Sequence, residues 1–208
     1  LRQVHAERNR NRLDLPEILA GVSWGGKLAA VLTAKYPQWV DGLALLYPGI
    51  KTRFRPNRFQ RWALKFAVGL GLGGQSRKLP LDDPALFTSD PEFRELIRRD
   101  PLVLREATLA TLEASSELDR EAKRAPSLIC CPLLRMLAGR DEIIDVKGSR
   151  EWFGQVASPR KRLVEYPEAR HTLEFEADRE WFVQDWIDWL IHTSERGRSI
   201  EHSREDRE

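Results

Sequence analysis

The sequence is poor in the residues that most often announce chemistry. It has only two cysteines in 208 residues, Cys130 and Cys131, and they are adjacent. That spacing gives neither a disulfide framework nor a set of zinc ligands. Lying in an apolar run, the two thiols are expected to be reduced core residues, compatible with cytoplasm. No stretch approaches the roughly 18 apolar residues of a membrane span, and the longest candidate, from Trp62 to Leu72, is interrupted by Lys65. Neither sign of charge prevails: 34 Lys and Arg face 32 Asp and Glu, for a net charge of +2. A nucleic-acid binder defined by its overall field is thereby excluded. There is no internal repeat. The first residue is Leu1 and not Met, so a start upstream is expected and secretion is left open.

What is present suffices for a core. Hydrophobic residues make up 41% and aromatics 9%, which removes the chain as a whole from the disordered class. The length suits one domain, or one domain carrying an insertion. Residues 1–14 are polar and suit a solvated helix or the approach to one. Ile18 to Val22 is a short apolar run closed by a turn signal, Gly25 to Tyr36 is rich in helix formers until Pro37, and Asp41 to Tyr47 is apolar again. Strand, tight turn, helix and strand make a βαβ unit, hence a parallel sheet. From Lys51 to about Ala125 helical periodicity punctuated by prolines predicts a helical insertion. After Pro126 the alternation resumes, with a strand in Leu128 to Ala138, a helix in Gly148 to Val156, a strand in Arg162 to Tyr166 and a closing helix from Asp178 to Ile191. The organisation read from this is a core of 1–50 and 126–193, an insertion of 51–125, and a charged tail of 194–208 too polar to order itself.

Gly21-Val22-Ser23-Trp24-Gly25 fits G-x-S-x-G at a strand-to-helix turn. Glycines on both sides of such a serine are expected where a side chain would clash, leaving the hydroxyl free above the sheet. The N–H of Trp24, at the helix N-terminus, is the expected first donor to a developing oxyanion. The plain alternative is a buried serine in a glycine turn. A serine hydroxyl needs a base and a carboxylate to orient that base. Of the four histidines, His5, His192 and His202 read as solvated surface residues, whereas His171 lies on a loop beyond a strand end and before the closing helix. Asp141 follows the strand ending Leu137-Ala138-Gly139-Arg140. Its competitors are Glu142, one residue further round the turn, and Asp145, which reads as a helix cap.

In the order Ser23, Asp141, His171 these residues resemble the α/β-hydrolase superfamily. Within it they are similar to the branch of monoacylglycerol lipases, lysophospholipases and S33 serine aminopeptidases. The resemblance rests on GVSWGG, PLLRMLAGRDEIID and EYPEARHTLEFE, runs from about residue 15 to 192, and extends to FTSDPEFRELIRRDPL in the insertion. It implies a mainly parallel sheet with flanking helices, a helical cap formed by 51–125, and a catalytic Ser23, His171 and Asp141 without cofactor or metal. The implied function is a serine hydrolase of carboxylic esters, of a monoacylglycerol or lysophospholipid, through an acyl-enzyme. Ser-Trp-Gly is also reminiscent of proline iminopeptidases, so an aminopeptidase is the alternative within the fold, and a non-catalytic binding module the alternative outside enzymes. The family places several strands before the serine, one loop of which supplies a second oxyanion donor. This chain reaches its serine at position 23, so those strands are absent from it. The expectation is a fragment, inactive or poorly folded alone, of an active longer parent.

Residues 51–80 carry eight basic side chains, Lys51, Arg53, Arg55, Arg58, Arg61, Lys65, Arg77 and Lys78, and no acidic one. Phe59, Trp62, Ala63, Phe66, Ala67 and Leu70 recur at helical spacing with Arg58, Arg61 and Lys65 off that stripe. The stripe is expected to line an acyl pocket as substrate-binding residues, or to enter an anionic lipid surface, against the plainer alternative of packing on the core. A cytoplasmic protein with peripheral membrane contact follows, and nucleic acid is not expected as a partner.

Overall fold

The computed structural model describes residues 1–10 and 15–205. Helix α1 (Arg2–Arg10) precedes strand β1 (Ile18–Val22), helix α2 (Ser23–Lys35) and strand β2 (Gly42–Leu46). Strand β5 (Leu133–Ala138), helix α6 (Val146–Gly154), strand β6 (Lys161–Tyr166) and helix α7 (Arg179–Glu205) complete the core. The four strands form one sheet in the order β1-β2-β5-β6, every pair parallel. β2 and β5 are buried along their whole length, which is why both read as near-continuous apolar runs.

Alternation along β2 divides the core in two. Leu43 and Leu45 pack with Ala29 and Ala30 of α2 and Trp152 of α6, while Ala44 and Leu46 pack with Phe182 and Trp189 of α7. Helices therefore cover both faces, and the strand C-terminal ends, where Ser23, Tyr47, Gly139 and Pro167 follow, lie at one edge of this layer.

Between β2 and β5 lie α3 (Arg58–Gly69), β3 (Ser76–Lys78), α4 (Pro91–Arg99), β4 (Glu106–Thr108) and α5 (Leu109–Arg124). The helices are set by local caps. Asn57 and Gln60 form a reciprocal capping box on α3, Asp90 accepts from Glu92 and Phe93 N–H on α4, and Thr108 accepts from Thr111 N–H on α5. β3 and β4 pair antiparallel, a small sheet where helical character alone is expected. The chain entering this region is stitched to the turn after β5: Arg53 N–H donates to Ile143 C=O at 2.8 Å and Asp145 N–H to Lys51 C=O at 2.7 Å.

Three expectations change. The strand begins at Leu133 rather than near Leu128, because Pro126 to Leu128 form a 3₁₀ turn and Pro132 stands before the strand. Cys130 and Cys131 thus sit in the lead-in to β5 and not in the core: Cys130 is exposed and Cys131 half-buried. α7 runs to Glu205, past the Ser194 boundary at which composition predicts a tail; residues 206–208 lie outside the described residues. Among the described residues no helix is long and apolar enough to cross a membrane, and no group of three or more His, Cys, Asp or Glu is placed to hold a metal.

Candidate active site

α2 begins at Ser23 itself, directly from β1, with φ of +44° at the serine. A non-glycine residue there is strained, and its surroundings hold it. Gly21 allows the turn: a Cβ on it would come within 2.7 Å of Ala29 Cβ and Gly25 C=O. Gly25 does not play the expected steric part, since a Cβ there meets nothing within 4 Å. The second tight position is Gly26, whose Cβ would lie 2.5 Å from that of Pro48. Gly49 N–H donates to the Ser23 carbonyl at 2.6 Å, so the loop after β2 braces the serine from behind.

Ser23 Oγ lies 2.8 Å from His171 Nε2, and His171 Nδ1 lies 2.8 Å from Asp141 Oδ2. His171 and Asp141 are both 2% exposed. Asp141 Oδ1 accepts from the N–H groups of Ile143 and Ile144, each at 2.8 Å. A carboxylate receiving on both oxygens is an acceptor only, so Nδ1 carries the ring proton and Nε2 is left to accept from the Ser23 hydroxyl. The imidazole makes T-shaped contacts with the rings of Tyr47 and Phe87, their centroids 5.0 Å and 6.0 Å away. Of the competing carboxylates, Glu142 pairs with Arg170 and Asp145 caps α6 through Gly148 N–H. His5 is not a free surface group but lies 3.2 Å from Glu17, and His192 is exposed. His202 lies among residues whose side chains are outside the described set.

The histidine loop is bound to the segment before α4. Thr172 N–H donates to Phe87 C=O and Arg170 to Ala85 C=O. Thr88 Oγ1 donates to Phe175 C=O, and Ser89 donates through both N–H and Oγ to Glu176.

A cavity of about 680 Å³ reaches Ser23's neighbour Trp24 and extends between α2, α3, β3 and α5. Its α3 wall is Gln60, Ala63, Leu64 and Ala67. Phe59, Trp62 and Phe66 are absent from it and are 72%, 62% and 56% exposed, stacked on one another along the outside of the helix. The expected lining role is corrected for the aromatic residues: of the stripe, Ala63 and Ala67 line the cavity, whereas Phe59, Trp62 and Phe66 neither line it nor pack on the core. Trp24 contributes its indole, whose Nε1 donates to Ser115 Oγ at 3.0 Å. Its backbone N–H lies in the first turn of α2, where a helix offers no internal acceptor. Lys27 is not among the residues expected from sequence at this site; it is 3% exposed on α2 and pairs with Asp119 of α5 at the cavity wall. A lysine one turn after the serine in an otherwise apolar helix was the available signal.

A family model described as serine aminopeptidase, S33 matches residues 1–178. The chain belongs to this family. A monoacylglycerol lipase from Mycolicibacterium smegmatis is 26% identical over 180 residues, 85% of this chain and 62% of that protein, so the chain spans less than two thirds of that relative's length. The crystal structure of a Paleococcus ferrophilus monoacylglycerol lipase superposes with a TM-score of 0.79 at 23% identity, covering 91% of this chain and 73% of the other. A soluble variant of the Saccharomyces cerevisiae monoglyceride lipase, in complex with a substrate analogue, gives 0.77 at 20% identity over 93% and 66%. The fold of this S33 member is that of the α/β-hydrolases, with a mainly parallel sheet, flanking helices and further elements between β2 and β5.

Proposed function

We propose that this protein belongs to a serine hydrolase of carboxylic esters, acting on a monoacyl ester such as a monoacylglycerol or lysophospholipid. The observation that carries the reading is the unbroken chain from Ser23 Oγ through His171 to the buried Asp141. His171 Nε2 takes the proton as Oγ attacks the ester carbonyl, and the oxyanion forms toward the Trp24 N–H. The imidazolium returns that proton to the departing alkoxide, leaving the acyl-enzyme. Water then attacks with its proton passing to Nε2, and the carboxylic acid leaves as Ser23 recovers its hydrogen. The curated relative's name supports an ester of this kind.

An aminopeptidase would need a free carboxylate to hold the substrate's ammonium group. The carboxylate that lines the cavity among the described residues is Asp119, and Lys27 already neutralises it. A fluorophosphonate probe on the natural full-length protein, followed by monoacyl esters against aminoacyl amides, tests both readings. Labelling at Ser23 with turnover of the esters is expected; no labelling, or labelling that persists in Ser23→Ala, overturns the hydrolase.

The outer face of α3 supports a second proposal, reversible contact with an anionic lipid surface on the cytoplasmic side. Phe59, Trp62, Phe66 and Leu70 are exposed together beside Arg58, Arg61 and Lys65. Aromatic residues entering the headgroup region with basic residues on anionic lipid is the pattern of an interfacial helix. Trp62→Ser together with Phe66→Ser is expected to abolish sedimentation with vesicles containing phosphatidylserine; unchanged sedimentation overturns the contact.

A further inference from the structure

We infer that Tyr47 and Glu174 form a positioning pair for His171, an assignment that rests on the hydrolase reading above. Tyr47 is the first residue after β2 and takes a φ of +37°, a strained conformation for a side chain with a Cβ. Its N–H is held by the Met136 carbonyl at 2.8 Å, and the residue is 2% exposed. Its phenol donates to both carboxylate oxygens of Glu174, at 2.6 and 2.7 Å. Glu174 stands in the 3₁₀ turn Leu173–Phe175, which begins two residues after His171. Burial, reinforced by the Glu174 charge, raises the phenol's pKa well above its ordinary value, so Tyr47 is a standing donor.

The geometry gives this pair a specific purpose. The Tyr47 ring meets the imidazole in a T-shaped contact, centroids 5.0 Å apart, while its hydroxyl holds the turn that follows the histidine. The next residue, Pro48, packs on Gly26 of α2, and the one after, Gly49, holds the Ser23 carbonyl. Three successive residues at the end of one buried strand thus grip the histidine loop with one side chain and the serine turn with the next two. The separation of Oγ and Nε2 is set by that short rigid segment. A displacement of about 1 Å between reacting groups can cost on the order of 10² in rate.

A residue that only filled the core would behave differently on substitution, and the test exploits this. In the natural full-length protein, Tyr47→Phe keeps the ring and removes the grip on Glu174. Glu174→Ala removes the acceptor, and Glu174→Gln keeps an acceptor oxygen. Tyr47→Phe and Glu174→Ala are each expected to lower kcat about tenfold or more on a monoacyl ester with KM held within about twofold, the double variant being no worse than either single one. Glu174→Gln is expected to restore most of kcat. Fluorophosphonate labelling of Ser23 in the unsubstituted protein is measured alongside. If labelling fails there, the hydrolase reading falls. If labelling succeeds and both single variants keep full kcat, the pair does no positioning. A loss in Glu174→Gln equal to that in Glu174→Ala, or effects that simply add in the double variant, also overturns it.

Discussion

Pro48 lies against Gly26 so closely that a methyl group on the glycine would come 2.5 Å from the proline Cβ and 2.9 Å from its Cα. Neither a ring nor a backbone atom can move aside cheaply, so Gly26→Ala is expected to lower the melting temperature and, by shifting α2 against the loop after β2, to disturb Ser23. Gly25→Ala is the informative control. It has open space and sits in a helix, where alanine is favoured over glycine by about 0.8–1 kcal/mol. Its thermal midpoint is expected to equal or exceed that of the parent, which calorimetry reads directly.

Asp141→Asn separates orientation from folding. The amide oxygen can still accept from Ile143 and Ile144 N–H, while its NH₂ faces Nδ1 and favours the wrong tautomer of His171. A fall in kcat of about 10⁴ is expected with the melting temperature nearly unchanged. Retention of more than a tenth of the rate would remove Asp141 from the proposed triad.

Arg135 is an unexpected burden in the core. It projects from β5 with its guanidinium 4.8 Å from the Trp152 ring, fully buried, and its three side-chain nitrogens have no hydrogen-bond partner among the described residues. Burial pushes its pKa down to about 9. The ring attraction is worth on the order of 2 kcal/mol, less than the desolvation of such a charge. Arg135→Met is therefore expected to raise stability by about 1–4 kcal/mol, read as a higher denaturation midpoint at unchanged m-value. A lower midpoint would mean that the guanidinium is compensated in solution.

The two adjacent thiols are expected to react unequally. Cys130 is exposed, whereas burial pushes the Cys131 thiol up to about 11. Because the thiolate is the reactive form, iodoacetamide at pH 8 should alkylate Cys130 well before Cys131, as peptide mass mapping would show. Equal rates would refute the assignment.

The parts of this molecule that are legible in sequence are those that local pattern controls. The run Ile18 to Val22 matches β1 residue for residue because an apolar stretch between a polar segment and a helix-forming one has few other uses. Ser23, His171 and Asp141, singled out by their places after strand ends, stand within hydrogen-bond distance of one another. The orientation of α3 is another matter. Periodicity gives one apolar stripe through Phe59, Trp62, Ala63, Phe66, Ala67 and Leu70, and does not tell that its Ala63 and Ala67 edge, with Leu64, faces the cavity while the aromatics stay outside. Strands β3 and β4 have three residues each, too short for any period to show. The Tyr47 and Glu174 contact joins positions 127 residues apart, each with an unremarkable neighbourhood in sequence.

The five hydrogen bonds between residues 85–89 and 170–176 make one mechanical body of the histidine loop and the chain that leads to α4. Any outward swing that widens the cavity has two courses. It can take that chain along and pull His171 off Ser23, or it can bend the elements on the far side, α3 and β3, about the points where they leave it. Under the proposed mechanism only the second course would keep His171 in register with Ser23, so an opening compatible with it would move α3 and β3 and leave the histidine loop in place.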